Sequence, residues 1–465
     1  MSIGIGIGLT FGRRKGIDAQ AQAYLTATGI TGETQKQAIN NLVKGLKTDG
    51  VWNKMKAVYP FVTDNKNLLS YTENFSDATW VKSNSSVTEN STTAPNGTLT
   101  ADSIIPNTAN AFHNVRILNL TTQVSPYTYS IYAKASGYNF IGIQIASDSS
   151  FTNYFEGVFN LSNGTIENTG RAVGYTGFRS IESVGNGWYR CSISITNSIS
   201  SFTALVSAVP QITNDPTTSY IGNGTFGVFV WGAQLELGST ATTYQPILTT
   251  QQAYIANQFK FNLINPLDTN AAFRLVFNGG LTFSSNGATP NGTNGFMDTG
   301  LNPSTALSSI NNVHLSMYSR TQNSSVSGHN MGVDTLLNNS LNLSQYYASV
   351  SSKLFMNGVY PNNSAEFNET NTKGLSIGSA TSSTLRKLFF NGSLLNTDTN
   401  SQLNSLPTNT LLIGCGRNAG SSSIPAYFTP HENSFTSIGD GLTDTEAANL
   451  YNRVQAYQTA LNRQV

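Results

Sequence analysis

The chain has 465 residues with a formal net charge of +1, and only 11% of its residues are charged, against about 25% in an average globular protein. That length holds two or three domains with real cores, and the near-zero charge excludes an electrostatic footprint for nucleic acid or an anionic membrane surface. Aromatic residues at 10% exclude a disordered chain, which lacks core-forming groups.

From the N-terminus, "MSIGIGIGLTFGRRKG" alternates Gly and Ile. Gly is costly in a helix and β-branched Ile favours extended backbone, so the spacing predicts a strand with Ile3, Ile5 and Ile7 on one face. Arg13, Arg14 and Lys15 follow the apolar stretch, whereas a secretory signal carries its charge ahead of it. Residues 1–16 therefore read as an extended anchoring peptide, with Ile3, Ile5, Ile7, Arg13 and Arg14 as the anchoring residues.

Residues 17–59 read as helical. Ile39, Leu42 and Leu46 recur at helical spacing, Thr31 is the expected N-cap, and Gly50 breaks the run before Trp52, Met55 and Tyr59. Beyond residue 67 the pattern turns to short alternating runs such as "YTYSIYAKA", "WYRCSISI" and "FGVFVWGAQLEL", separated by "PNG", "SNG" and "GNG" turn signals. No fixed-period repeat accompanies them, which counts against a propeller or a β-helix. The C-terminal "LTDTEAANLYNRVQAYQTALNRQV" returns to helix. Thr443 and Glu446 stand in capping-box positions, and Ala447, Leu450, Val454, Tyr457 and Leu461 share one face.

The expected organisation is a helical segment at 17–64 packing on a C-terminal domain at 251–465, with a β domain at 67–248 inserted between them. Insertion succeeds where the guest's termini lie close together at the surface. No apolar run approaches the ~20 residues of a membrane span. Cys191 and Cys415, with His113, His314, His329 and His431, define neither a disulfide framework nor a metal site.

Catalytic motifs are sparse. "LLIGCGRNAG" at 411–420 matches a dinucleotide fingerprint, but "SSSIPAYFTP" follows where a helix is required. Glu432 and Asp440 are available as a glycosidase pair, but their contexts read equally well as turn and cap chemistry, and the chain is expected not to be an enzyme. For carbohydrate, Tyr138, Phe151 and Tyr154 lie near polar, turn-like segments and are the candidate stacking residues. Trp188 and Trp231 sit in strand patterns and are expected in the core. No cofactor is expected. Structural Ca²⁺ is allowed by Glu73, Asp102 and Glu236, which offer oxygen ligands without a diagnostic spacing.

The ordered motifs "NLLSYTENFSDATWVKS", "APNGTLTADSI", "YTYSIYAKA", "GNGWYRCSI" and "VFVWGAQLELGSTATTYQP" resemble the carbohydrate-binding-module-like jelly rolls of bacteriophage tail and fibre proteins. The flanking "AQAYLTATGITGETQKQAINNLVKGLKTDGVWNKMKAVYPFV", "KFNLINPLDTNAAFRLVFNGG" and the C-terminal helix resemble a segment of phage structural proteins whose body is similar to concanavalin A-like lectin sandwiches. The resemblance implies a mainly β chain, a jelly roll inserted into a concanavalin A-like β-sandwich with short helices at its N-terminal segment and C-terminus. It implies a virion protein of the head or tail fibre, appendage or capsid-decoration type, on the exterior of the particle, adhering to host surface polysaccharide. Its implied partners are other virion proteins (portal, capsid or tail components) and further copies of itself in a homotrimer, with no nucleic acid and no membrane. The alternative is a bacterial cell-surface or secreted glycan-active protein, extending to a glycoside hydrolase.

Overall fold

A computed structural model describes residues 16–121, 126–147, 152–167, 172–196, 203–211, 219–268, 273–322, 328–335, 339–344, 353–357, 365–368, 372–399, 405–418 and 421–465. The chain is mainly β, and it separates into two compact units. One comprises the residues up to Asp64 together with Ile255–Val465, and the other Asn65–Tyr254. The helices are α1 (Ala19–Thr28), α2 (Glu33–Thr48), α3 (Gln251–Phe259), the short α4 (Pro303–Ala306) and α5 (Asp444–Ala460).

In the first unit, one antiparallel sheet contains, in order, Leu281–Ser284, Gly287–Pro290, Asn433–Gly439, Val313–Ser319, Gly374–Ser382, Leu385–Phe390 and Ser393–Asp398. Met55–Tyr59 also pairs with Asn433–Gly439. The second sheet runs Val276–Asn278, Phe296–Asp298, Leu412–Ile413, Met331–Thr335, Asn339–Ser344, Lys353–Asn357 and Ala365–Asn368. Tyr318, Leu375, Ile377, Phe389 and Phe435 of the first sheet share a core with Leu42, Leu46 and Met55 from the N-terminal segment. Ala447, Leu450, Val454 and Tyr457 of α5 complete it. Here α5 follows its sequence pattern: Thr443 and Glu446 form the capping box, Ala447, Leu450, Val454 and Tyr457 are buried, and Leu461 is the partly buried C-cap.

Two local expectations fail. Met55–Tyr59 is a strand rather than the tail of a helix, because Gly50 at φ 74° ends the helical path and the sheet offers Met55–Tyr59 a partner strand. Thr31 does not cap α2. Gly32 is the N-cap without a side-chain bond, and the Asp64 carboxylate receives the amides of Thr31 (2.6 Å) and Gly32 (2.9 Å) from a distant point in the chain. A carboxylate at a helix N-terminus also opposes the positive end of the helix dipole.

The unit Asn65–Tyr254 is a sandwich of two antiparallel sheets. The first has the order Gly177–Gly185, Trp188–Ile195, Tyr127–Ser136, Gly227–Leu237, Ala101–Pro106 and Ser85–Thr92. The facing sheet runs Thr165–Glu167, Tyr154–Asn160, Phe140–Ala146, Thr203–Gln211, Asn114–Thr121 and Val81–Ser83. Tyr129, Ile131, Ile193 and Leu235 of the first sheet meet Ile141, Ile143, Phe155 and Phe159 of the other in one core. The unit's two ends run side by side. The amides of Tyr71 and Thr72 donate to the carbonyls of Thr249 and Ile247. The buried Asn67 side chain donates to Ala233 O and Gln245 O, and accepts from the amides of Leu69 and Leu235.

Candidate functional site

The six-stranded sheet turns one face to the core and the other outward. Cross-strand register sets three rows on the outer face: Glu182, Arg190, Tyr132 and Trp231; Ser180, Ser192, Ser130 and Gln234; Phe178, Ser194, Thr128 and Glu236. Strict alternation would put Trp231 and Gln234 on opposite faces. A bulge between them, at Gly232 with φ 63°, keeps both outward. A Cβ at Gly232 would meet the rings of Tyr132 and Tyr244.

Half of this face is roofed by the protein itself. Trp231 and Trp188 are buried in a small cluster with Ala94 and Ala101, with Tyr132, Phe229 and Tyr244 packed against it. Their indole nitrogens donate to Thr100 Oγ1 (3.0 Å) and Thr93 O (3.1 Å). The chain after Leu237 folds back over the lower rows, where the Gln245 amide donates to Gln234 Oε1 and Thr242 donates to the Glu236 carboxylate.

The other half is open. Phe178, Arg179, Ser180, Glu182, Arg190, Ser192 and Ser194, with Ser239, Thr240 and Ala241 as a wall, enclose a depression of about 340 Å³. Phe178 is 69% exposed and borders the depression. The exposed Glu182 forms no ion pair among the described residues. Arg190 donates from Nη2 to the buried Ser130 Oγ at 3.0 Å, and its guanidinium stands 5.5 Å from the centre of the Tyr132 ring. Its Nε is buried without a hydrogen-bond partner among the described residues. Burial pushes the Tyr132 phenol up, with Arg190 pulling it down and Glu182 raising it. Both charges therefore act on the same spot.

A second depression, about 480 Å³, lies in the first unit between Val276, Asn278, Phe296, Asp298, Thr410, Arg417 and Pro425. Its charged group is already engaged. Arg417 donates to Thr410 O (3.1 Å) and Thr410 Oγ1 (2.6 Å) and stands 3.6 Å from Asp298. The uncommitted groups of the depression near Phe178 make that the better candidate.

The residues singled out from sequence are not brought together here. Tyr138 is a core residue, its ring edge-on to Tyr220 at 6.1 Å and its hydroxyl accepting from the Asn223 amide. The turn-like segment beside Tyr138 therefore does not expose its ring. Tyr154 is half-buried at the start of a strand in the opposite sheet. Phe151, Ile3, Ile5, Ile7, Arg13 and Arg14 lie outside the described residues. The three carboxylates offered for Ca²⁺ are occupied by protein donors. Asp102 accepts the amides of Phe75 and Asn90, Glu236 accepts from Gln234 and Thr242, and Glu73 accepts from Tyr244. Among the described residues, no group of three or more His, Cys, Asp and Glu stands where it could hold a metal. Sequence reasoning missed Phe178, Glu182 and Arg190. The available signal was the "GFRSIESVG" run beside the quoted "GWYR", in which Phe178, Ser180 and Glu182 fall on one face.

No family model matches the chain, and no curated protein does. Among solved structures, domain 4 of an extracellular GH43 arabinanase from Geobacillus stearothermophilus, in complex with arabinotriose, is 15% identical. That match covers 37% of this chain and 81% of that one, with a TM-score of 0.28. The enzymatically active domain of bacteriophage CBA120 tailspike protein 4 is 14% identical over 37% of this chain and 21% of that one, at a TM-score of 0.22. A Trypanosoma rangeli sialidase is 10% identical over 80% of this chain and 62% of that one, at a TM-score of 0.30. At these scores the likeness specifies no function. It does correct one expectation. Chains of an arabinanase and a sialidase stand among the matches, so the sequence-based exclusion of enzymatic activity is withdrawn.

Proposed function

We propose that this chain is a glycan-binding protein carried on the exterior of a bacteriophage particle, as a fibre, appendage or decoration. One observation supports glycan binding above the others: the exposed Phe178 ring flanks a polar depression whose Glu182 and Arg190 are not paired with each other or with other charges. A sugar ring offers an apolar face to an aromatic side chain and hydroxyls to polar ones. Ser180, Glu182 and Arg190 supply the donors and acceptors. A site this shallow gives weak single contacts, and several copies on one particle multiply them. The proposed assembly is a homotrimer bound to other virion proteins through the N-terminal segment. The virion assignment is supported by the motif order read in the sequence.

A glycan array probed with the intact oligomer is expected to show binding to bacterial surface polysaccharides. Phe178→Ala should weaken it by about tenfold, since one stacked aromatic contributes of the order of 1–1.5 kcal/mol. The thermal midpoint should not change, because the ring is exposed. A blank array, or unaltered binding by the variant, would contradict the proposal.

A further inference from the structure

We propose that the depression beside Phe178 takes an acidic glycan, with Arg190 receiving its carboxylate; this rests on the glycan reading above and narrows it. Several arginines in this protein are matched by carboxylates, whereas Arg274 and Arg463 donate to carbonyl oxygens. Arg453 bonds Asp49 through Nε and Nη2 at 2.7 and 3.0 Å, Arg386 bonds Asp398, and Arg417 stands against Asp298. Arg190 has no carboxylate within ion-pair distance among the described residues. A guanidinium carries five N–H donors. The one hydrogen bond that Arg190 makes to a described residue is from Nη2 to Ser130.

That bond and the Tyr132 ring hold the guanidinium from two sides where Arg190 lines the depression, so it is positioned before a ligand arrives. A planar, pre-positioned fork favours a carboxylate, which accepts two parallel N–H bonds, over a hydroxyl, which accepts one. Ser180 and Ser192, in the adjoining row, supply hydroxyls beside it. Glu182 lies directly across the strand pair from Arg190 and is exposed at the rim, where water and salt screen its repulsion of an anion. Its position makes its charge diagnostic: Glu182→Gln should strengthen an acidic ligand and weaken a neutral one, which loses a charged acceptor.

The test uses the full chain with hyaluronate and polygalacturonate, their carboxyl-reduced products, and dextran, with affinity read by biolayer interferometry. The expected result is that at least one acidic polymer binds and that carboxyl reduction weakens it by about tenfold or more. Binding of the acidic polymer should also weaken as ionic strength rises. Arg190→Gln should erase the preference for the acidic polymer, Arg190→Lys should restore part of it, and Glu182→Gln should strengthen acidic binding a few-fold. Glu182→Gln, at an exposed position, keeps the test decisive if the Arg190 variants fold poorly. Equal binding of acidic and carboxyl-reduced polymers would overturn this inference while leaving glycan binding intact, as would binding of dextran alone. Absence of binding to every polymer, together with a blank glycan array, would overturn both.

Discussion

Lowering the pH from 7 to 5 should destabilise the unit containing Ile255–Val465 by about 5 kcal/mol, a drop of roughly 10–20 °C in its thermal midpoint. His314, His329 and His431 are all buried there, and burial holds each well below its ordinary value, at about 4. His314 is placed between Asp440 O (2.6 Å) and Ser437 Oγ (3.0 Å), with Lys54 opposing its charge and Asp440 and Glu446 favouring it. His329 shares a hydrogen bond with Ser344 Oγ at 2.6 Å. Among the described residues, His431 has a hydrogen-bond partner on neither ring nitrogen.

An unfolded histidine titrates near 6.5. Between pH 6.5 and 4 the unfolded chain therefore binds more protons than the folded one. The stability that the neutral imidazoles confer is complete above that window, falls as pH drops through it, and is gone below about 4. Glu432 works the other way: burial raises its carboxyl, with Arg320 and Arg463 lowering it, so its protonation offsets part of the loss as pH falls. In the Asn65–Tyr254 unit the sign is reversed. Burial pushes the Asp102 carboxyl up to about 6, so that unit is relieved of a penalty as pH falls from 6 towards 4. Two calorimetric transitions that move apart on acidification are the expected result, and His431→Leu should remove about a third of the slope in the first. Transitions that fall in parallel would contradict this.

The second large effect is at Arg463. This residue, third from the end of the sequence, has a fully buried guanidinium that donates to Gln458 Oε1 (2.6 Å), Phe61 O (2.6 Å), Pro60 O (2.8 Å) and Ser434 O (2.9 Å). It also reaches Ser285 O at 3.3 Å and stands 5.2 Å from the centre of the Tyr457 ring. One side chain thus ties the segment after Met55–Tyr59, the 285–286 turn, the Asn433–Gly439 strand and α5 together. It also fixes the backbone at Phe61, which sits at φ 45°, a strained value for a bulky residue. Arg463→Met keeps the volume but leaves several buried carbonyls without donors, and should cost about 3–5 kcal/mol in denaturant unfolding of this unit. Arg463→Lys should recover only part, because an ammonium cannot span the same fan of acceptors. A loss under about 1 kcal/mol for Arg463→Met would mean that water replaces the guanidinium at these carbonyls.

Much of the fold is legible in the sequence where a local pattern has one physical outcome. Helix α5 carries its cap, its buried face and its length in consecutive residues. The alternating runs between turn signals become strands for the same reason. Met55–Tyr59 was misread because five residues with helical spacing behind them carry no signal of the partner strand, Asn433–Gly439, far along the chain. Thr31 was misread because Asp64, which receives the amides there, is equally remote.

The site was less legible still. Tyr138 sits in a turn-like stretch, yet Tyr220 and the core claim its ring. Phe178 sits in a strand pattern, yet the strand is at a sheet edge and its even-numbered residues face outward. Which face of a strand is covered depends on what folds over it. Here Ser239–Gln245 returns over Gln234 and Glu236 but stops short of Arg190. The bulge at Gly232 adds a break in alternation that a periodic reading passes over.

The central claim is that ligand binds on the outer face of the six-stranded sheet, and hydrogen exchange of the full chain with and without a bound polysaccharide tests it most directly. The predicted result is slowed exchange confined to Gly177–Gly185, Trp188–Ile195 and the 239–241 wall, lost in Phe178→Ala. Protection instead around Val276–Asn278, Phe296–Asp298 and Thr410, the second depression, or no protection at saturating ligand, would contradict it.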